Sequence, residues 1–192
     1  GIKMCEAYNK QYKTNYVCLM PTNTYGPNDN YHELNSHFFP ALIRKCHECK
    51  IKKKKFIEVW GSGKPKREFM HVDDMADACI YLNNIDRTVY NKCIYPCSHI
   101  NIGSSEEISI RDLAEIIKQI VGYKGKIIFN ETKPDGNPSK LMDIQRLKDL
   151  NWQPKISLNI GLKNVIVIGS NERAVRLVKQ IQSKNNFGYN LL

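Results

Sequence analysis

No hydrophobic run in the sequence is long enough to cross a bilayer. The longest near the C-terminus, VIVIG at residues 165–169, falls far short of the roughly 20 residues a spanning helix needs, so no membrane role is expected. The seven cysteines are odd in number, lack compact disulfide spacing and follow no secretory leader, which points to reduced thiols and a cytoplasmic setting. Acidic residues are also scarce, 19 against 29 lysines and arginines, a net charge of +10. Such a balance attracts polyanions: nucleic acid, anionic lipid or a nucleotide pyrophosphate. Much of the excess sits in one run, Lys50 and Lys52 to Lys55, which has no interleaved aromatics on which bases could stack, so nucleic acid is not expected. A glycine-rich G-x-G-x-x-G is missing, and none of the ten tyrosines has a lysine four residues later. Gly1 stands where an initiator methionine would, and the first residues read as mid-helix, as in a fragment.

What is present is the composition of a globular domain, 42% apolar and 25% charged. Apolar spacing predicts helices over 2–13, 37–49, 75–82, 110–121 and 142–150, with another beginning near Ser157. Strands are expected over 15–20, 56–60, 99–102, 126–129 and 164–169. Residues 21–27 and 133–138 read as turns, 28–36 and 83–97 as irregular connections. The helix at 110–121 is the clearest, with Ser109 as its cap and Gly122 as its stop. Residues 164–169 followed by a basic helix at 172–182 read as a β-turn-α unit departing from what precedes it.

The chain is organised around residues 59–78, VWGSGKPKREFMHVDDMADA. Gly61 and Gly63 suit a tight turn, and Lys64, Lys66 and Arg67 then crowd positive charge where a phosphate can sit. Asp73 and Asp74 are expected to cap the following helix. Taken alone, the stretch reads first as a solvated basic hairpin before an ordinary helix, with the phosphate site as the alternative. His37, beside a polar loop, is either a general acid or a surface or capping histidine. Asp135, in Lys-Pro-Asp-Gly, is either a ligand-hydroxyl acceptor or a plain turn residue. Cys46 and Cys49, with Cys93 and Cys97 and with His47 and His99 in reserve, supply zinc-ligand types. The pairs are far apart in sequence and the first lies within a helix, so no metal is expected.

Together the segments GIKMCEAYNKQY, MPTNTYGPNDN, NSHFFPALIRK, VWGSGKPKREFMHVDDMADA, SHINIG, VGYKGKIIF, KPDGNPSKLMD and PKISL resemble, in order, the GDP-L-fucose synthase family. Its members are extended short-chain dehydrogenase/reductases that epimerise and then reduce GDP-4-keto-6-deoxymannose with NADP(H). The resemblance implies an α/β fold with partial Rossmann elements and a smaller mixed α/β substrate domain, residues 1–162, followed by a foreign tail, 163–192. It also implies that Pro21, Thr22, Asn23, Thr24 and His37 lie along the cofactor. His37 would be the acid of epimerisation, and Lys45, Trp60, Arg67 and Asp135 would contact the GDP-sugar. Family members form homodimers. Thr24, Lys45 and Ser139 depart from the family's usual Leu, Arg and Arg. The family's Tyr-x-x-x-Lys pair and glycine-rich loop would stand upstream of Gly1, so a separately encoded N-terminal half is one possible partner.

Overall fold

The computed structural model describes residues 1–94 and 99–167. Its helices are α1 (Ile2–Tyr12), α2 (Phe38–Ile51), α3 (Val72–Asn84), α4 (Arg87–Ile94), α5 (Ile110–Val121), α6 (Gln145–Asp149) and α7 (Leu158–Val167). Its strands are β1 (Leu19–Pro21), β2 (Asn23–Tyr25), β3 (Phe56–Trp60), β4 (Lys66–His71), β5 (Ile100–Ile102), β6 (Glu107–Ser109) and β7 (Lys126–Asn130). They form three small sheets: β1 parallel to β5, β3 parallel to β7, and β4 between β2 on its parallel side and β6 on its antiparallel side. This is the α/β class expected.

Strand β4 divides two cores because a strand sends alternate side chains to opposite faces. Phe69 joins Phe39, Leu42, Ile57, Leu113, Ile117 and Leu162 on one side. Met70 joins Leu82, Ile100, Ile102, Leu147 and Trp152 on the other. Helix α5 carries the periodicity that makes it legible, burying Leu113, Ala114, Ile117 and Val121 along one stripe. Its Ser109 accepts the Asp112 N–H at 3.0 Å, and Gly122 ends it in the left-handed region. In contrast, α1 buries none of its residues and leaves Met4, Tyr8 and Tyr12 exposed. No helix among the described residues is long and apolar enough to cross a membrane.

Five expectations are corrected. First, α3 starts at Val72, so its cap is His71, whose Nδ1 accepts the Asp73 N–H at 3.2 Å; Asp73 and Asp74 fill the first turn. Second, residues 83–97 are not irregular throughout. Asp86 takes the Thr88 N–H at 2.7 Å, and α4 follows because its Tyr90 finds a buried place in the second core. Third, residues 66–71, read from the sequence as part of a solvated basic hairpin, are a strand paired with β2 and β6, since Phe69 and Met70 both find cores. Fourth, the turn expected at 21–27 holds the end of β1 and the whole of β2. Fifth, residues 164–167 are helical. Leu158, Leu162, Val165 and Ile166 sit at i, i+4, i+7 and i+8 against the first core, and that packing overrides the strand preference of a β-branched run. The helix crosses the division expected after residue 162. The basic helix at 172–182 lies outside the described residues.

Candidate functional site

A cleft of about 490 Å³ opens beside β4. Thr22, Asn23 and Thr24 line it from the carboxyl end of β1 and from β2, and His37 lines it from the start of α2. Trp60 reaches it from the end of β3, Arg67 from β4, and Asp135 from the loop after β7. Apolar Phe38, Phe39, Pro65, Phe69 and Ile110 complete the wall. Of the residues singled out in the sequence, Pro21 and Lys45 stand outside this lining. Pro21 ends β1 on an exposed edge, and Lys45 lies on the exposed face of α2, about 12 Å along the helix from His37 at 1.5 Å per residue.

His37 occupies the cap position of α2, but its side chain makes no capping hydrogen bond. That removes the capping alternative and leaves the imidazole exposed at the cleft. Trp60 is 67% exposed at the rim, with the Lys133 ammonium 5.3 Å from its ring centre. An exposed aromatic face beside a cation suits a flat, electron-rich ligand group. Arg67 donates from Nη1 to the carbonyls of Lys66 and Asn137 at 2.6 and 2.7 Å, which leaves other guanidinium donors for an anion. The expected basic cluster is thinner than its sequence suggests, because Lys66 is paired with Glu107 at 3.3 Å.

Asp135 has a structural role of its own. Its Oδ1 accepts the Ser62 N–H at 2.8 Å and its Oδ2 the Ser62 hydroxyl at 2.6 Å. Gly61 lies at φ +83°, and a Cβ there would strike Asp135 Oδ1, so glycine serves both the turn and the close approach. Arg111, absent from the sequence reading, braces the same turn by donating to the Ser62 carbonyl at 2.6 Å while stacking 4.0 Å over Phe129. Nothing in the sequence around Arg111 marks it; it is an exposed helical residue whose partner is 49 positions away.

The Ser62 hydroxyl, then the Ser62 amide, and to a lesser degree the charge of Lys64, hold the Asp135 carboxyl below its ordinary value of 3.8. A depressed carboxyl stabilises its partner fully above the unfolded value, and that contribution disappears as pH falls through the folded value. The tie is therefore intact at neutral pH and released only in acid, below about pH 4. Ser62→Ala should move the Asp135 titration upward toward its ordinary value, as followed by carboxyl carbon NMR. An unchanged titration would show that the hydroxyl is not the cause.

Among the described residues, no group of three or more His, Cys, Asp and Glu is placed to hold a metal ion. Cys46 is buried in the first core and its thiol is pushed up to about 12, chiefly by burial, the state of a packing residue and not of a ready thiolate ligand. Cys97 lies outside the described residues.

The family model described as NAD dependent epimerase/dehydratase family matches residues 1–103. The GDP-L-fucose synthase of Escherichia coli (strain K12) is 50% identical over 163 residues, covering 84% of this chain and 51% of that protein. Among solved structures, a GDP-6-OMe-4-keto-L-xylo-heptose reductase from C. jejuni superposes with a TM-score of 0.78 at 34% identity, covering 94% of this chain and 58% of the other. The GDP-mannoheptose C4 reductase MlghC from Campylobacter jejuni, with NADP bound, gives 0.75 at 34% identity, covering 88% and 57%. The chain spans about half the length of the curated relatives it matches. With the match extending over more than half of its residues, and β1, β2 and β4 converging on one cleft, the chain belongs to the NAD dependent epimerase/dehydratase family.

Proposed function

We propose that this chain forms the GDP-sugar-binding side of a GDP-L-fucose synthase-type enzyme, which converts GDP-4-keto-6-deoxymannose to GDP-L-fucose with NADPH. The observation that carries the reading is the convergence of Trp60, Arg67, His37 and Asp135, drawn from distant parts of the sequence, on one cleft. In this reading Trp60 is an aromatic wall and Arg67 offsets pyrophosphate charge, while Lys45, outside the cleft on α2, meets a part of the ligand that extends beyond it. Asp135 retains lone pairs for a ligand hydroxyl beyond those Ser62 uses. His37 holds or delivers a proton at the sugar. The 50%-identical synthase supports the substrate class.

The residues fit a dinucleotide at one edge of the cleft. Segment 21–24 leaves the carboxyl end of the parallel β1–β5 pair, where open α/β sheets bind such ligands. Pro21, Asn23 and Thr24 are exposed there. NADP(H), when bound, supplies the hydride for the C4 ketone. The chain's own contribution is to line the cofactor with residues 21–24 and His37 and to orient the sugar.

Cytoplasmic placement belongs to the same reading, as do a division of sequence resemblance after residue 162, within α7, and assembly as a homodimer or with a separately encoded N-terminal half. Helix α1, apolar along Met4, Tyr8 and Tyr12 yet burying none of its residues, supports such assembly. The 192 residues contain no Tyr-x-x-x-Lys pair, so this polypeptide by itself is expected to bind GDP without turning the keto-sugar over. Calorimetry with GDP on the wild type and Arg67→Ala tests the binding site, and equal affinities would refute it. An NADPH oxidation assay tests the second half, where sustained turnover by the purified chain would overturn it.

A further inference from the structure

Among the described residues, the acid most completely removed from solvent is not one of the cleft residues. Glu68 is 0% exposed and sits on β4 between Arg67 and Phe69, which line the cleft. Strand alternation turns its carboxylate to the opposite face. Its partners there are neutral donors: Oε1 accepts the Ser105 N–H at 2.8 Å and the Ser104 hydroxyl at 3.4 Å, and Oε2 accepts the Met142 N–H at 3.0 Å. The surrounding backbone is shaped around it. A Cβ on Gly103 would collide with Oε1, and Ser105 adopts φ +61°, a conformation non-glycine residues hold only where neighbours enforce it.

The main chain of the same residue points toward the β2 side. The Glu68 carbonyl accepts the Asn23 side-chain amide at 2.9 Å and the Thr22 hydroxyl at 3.3 Å. Thr22 and Asn23 form one wall of the cleft. Met142 ends the loop that brings Pro134, Asp135 and Gly136 to the same cleft. Next to Glu68, Lys66 and Arg67 fix that loop at two further points, through the Pro138 and Asn137 carbonyls.

We infer that Glu68 is a positioning residue that fixes two lining segments of the cleft relative to one another, its carbonyl holding the 22–23 segment and its carboxylate holding the 103–105 turn and the end of the 133–142 loop. The inference uses the GDP-sugar reading only to say what the cleft holds. A carboxylate is required because both oxygens accept a main-chain N–H. Glutamine, nearly the same shape, offers one oxygen and one NH2, so in either orientation one main-chain N–H meets a donor.

Glu68→Gln in the full chain tests this by hydrogen exchange without ligand and by GDP calorimetry. The amide of Ser105 or of Met142 should exchange at least tenfold faster while amides of the β3–β7 pair keep their rates, and the Kd for GDP should rise about tenfold. Unchanged exchange at both amides overturns the inference, and so does uniform acceleration across the chain, which marks mere destabilisation. Local acceleration with wild-type GDP affinity also overturns it, since the tie would then not set the cleft. If the wild type itself binds no GDP, the functional reading falls, while the exchange pattern still upholds or overturns the tie. Should Glu68→Gln fail to fold, Gly103→Ala displaces the same carboxylate from outside the cleft and must give the same local pattern. Wild-type exchange and affinity in that variant would overturn the inference.

Discussion

Asp74→Ala is expected to cost about 3 kcal/mol of stability, read as a lower urea midpoint with little change in slope. Asp74 is 2% exposed in the first turn of α3, and no basic side chain among the described residues pairs with it. It is held by backbone: both oxygens lie 3.1 Å from the Lys155 amide, and Oδ2 takes the Ile156 N–H at 2.9 Å. The Lys155 ammonium goes instead to Asp77, which also accepts the Trp152 indole N–H at 2.9 Å. Removing Asp74 therefore strips the acceptor from two amides at the point where the chain turns into α7. That helix places Leu162 in the first core and Gly161 against Tyr25 and His71, so a loosened 155–156 segment loosens a core wall. Asp73, one residue earlier, has a 74% exposed side chain near His71 and serves as the control. Asp73→Ala should cost well under half as much, as exposed pairs do. Equal losses from the two variants would show that burial and backbone capture are not what makes Asp74 matter.

Asp73 and Asp74 also show where reading the sequence stops. Two adjacent acids at a helix start were legible as first-turn residues that favour the helix dipole, although the cap itself is His71. Their division of labour was not, because it depends on which one faces residue 155, more than 80 positions away. The same boundary runs through the molecule. Helix α5 was legible in full because its stripe, cap and stop are all local. Helix α4 and strand β4 were missed because their reasons lie in cores assembled elsewhere, Tyr90 in one, Phe69 and Met70 on either side of the divide. Residues 164–167 misled because local β-branching and distant packing disagreed, and packing prevailed. In the cleft, resemblance gathered Trp60, Arg67 and Asp135 before any coordinates did. Only the structure shows that Asp135 is already engaged by Ser62, that Lys66 is neutralised by Glu107, and that the His37 side chain makes no capping hydrogen bond.

Arg67 and Trp60 should separate the two ends of a bound GDP. If Arg67 grips the pyrophosphate, Arg67→Ala removes charge-assisted hydrogen bonds worth about 1.5–3 kcal/mol, a roughly tenfold to hundredfold loss of affinity. The loss should appear equally with inorganic pyrophosphate, which has no base or sugar. Arg67→Lys should fall between, since lysine keeps the charge but not the fork. It also meets an objection to the alanine variant: Arg67 ties the 133–138 loop through the Asn137 carbonyl, so truncation disturbs that loop as well as the anion contact. Trp60 is 67% exposed at the rim with the Lys133 ammonium over one face of its ring, so a purine would stack on the other face or displace the ammonium. A base stacked there contributes about 1–3 kcal/mol, so Trp60→Ala should weaken GDP while leaving pyrophosphate binding unchanged. Salt supplies an independent check, because screening should weaken the Arg67-dependent part of the affinity and spare the Trp60-dependent part. Calorimetry with both ligands, at low and high salt, on the three variants gives the full comparison. A Trp60→Ala loss shared by pyrophosphate would place the base elsewhere, and an Arg67→Ala loss confined to GDP would remove the pyrophosphate from β4.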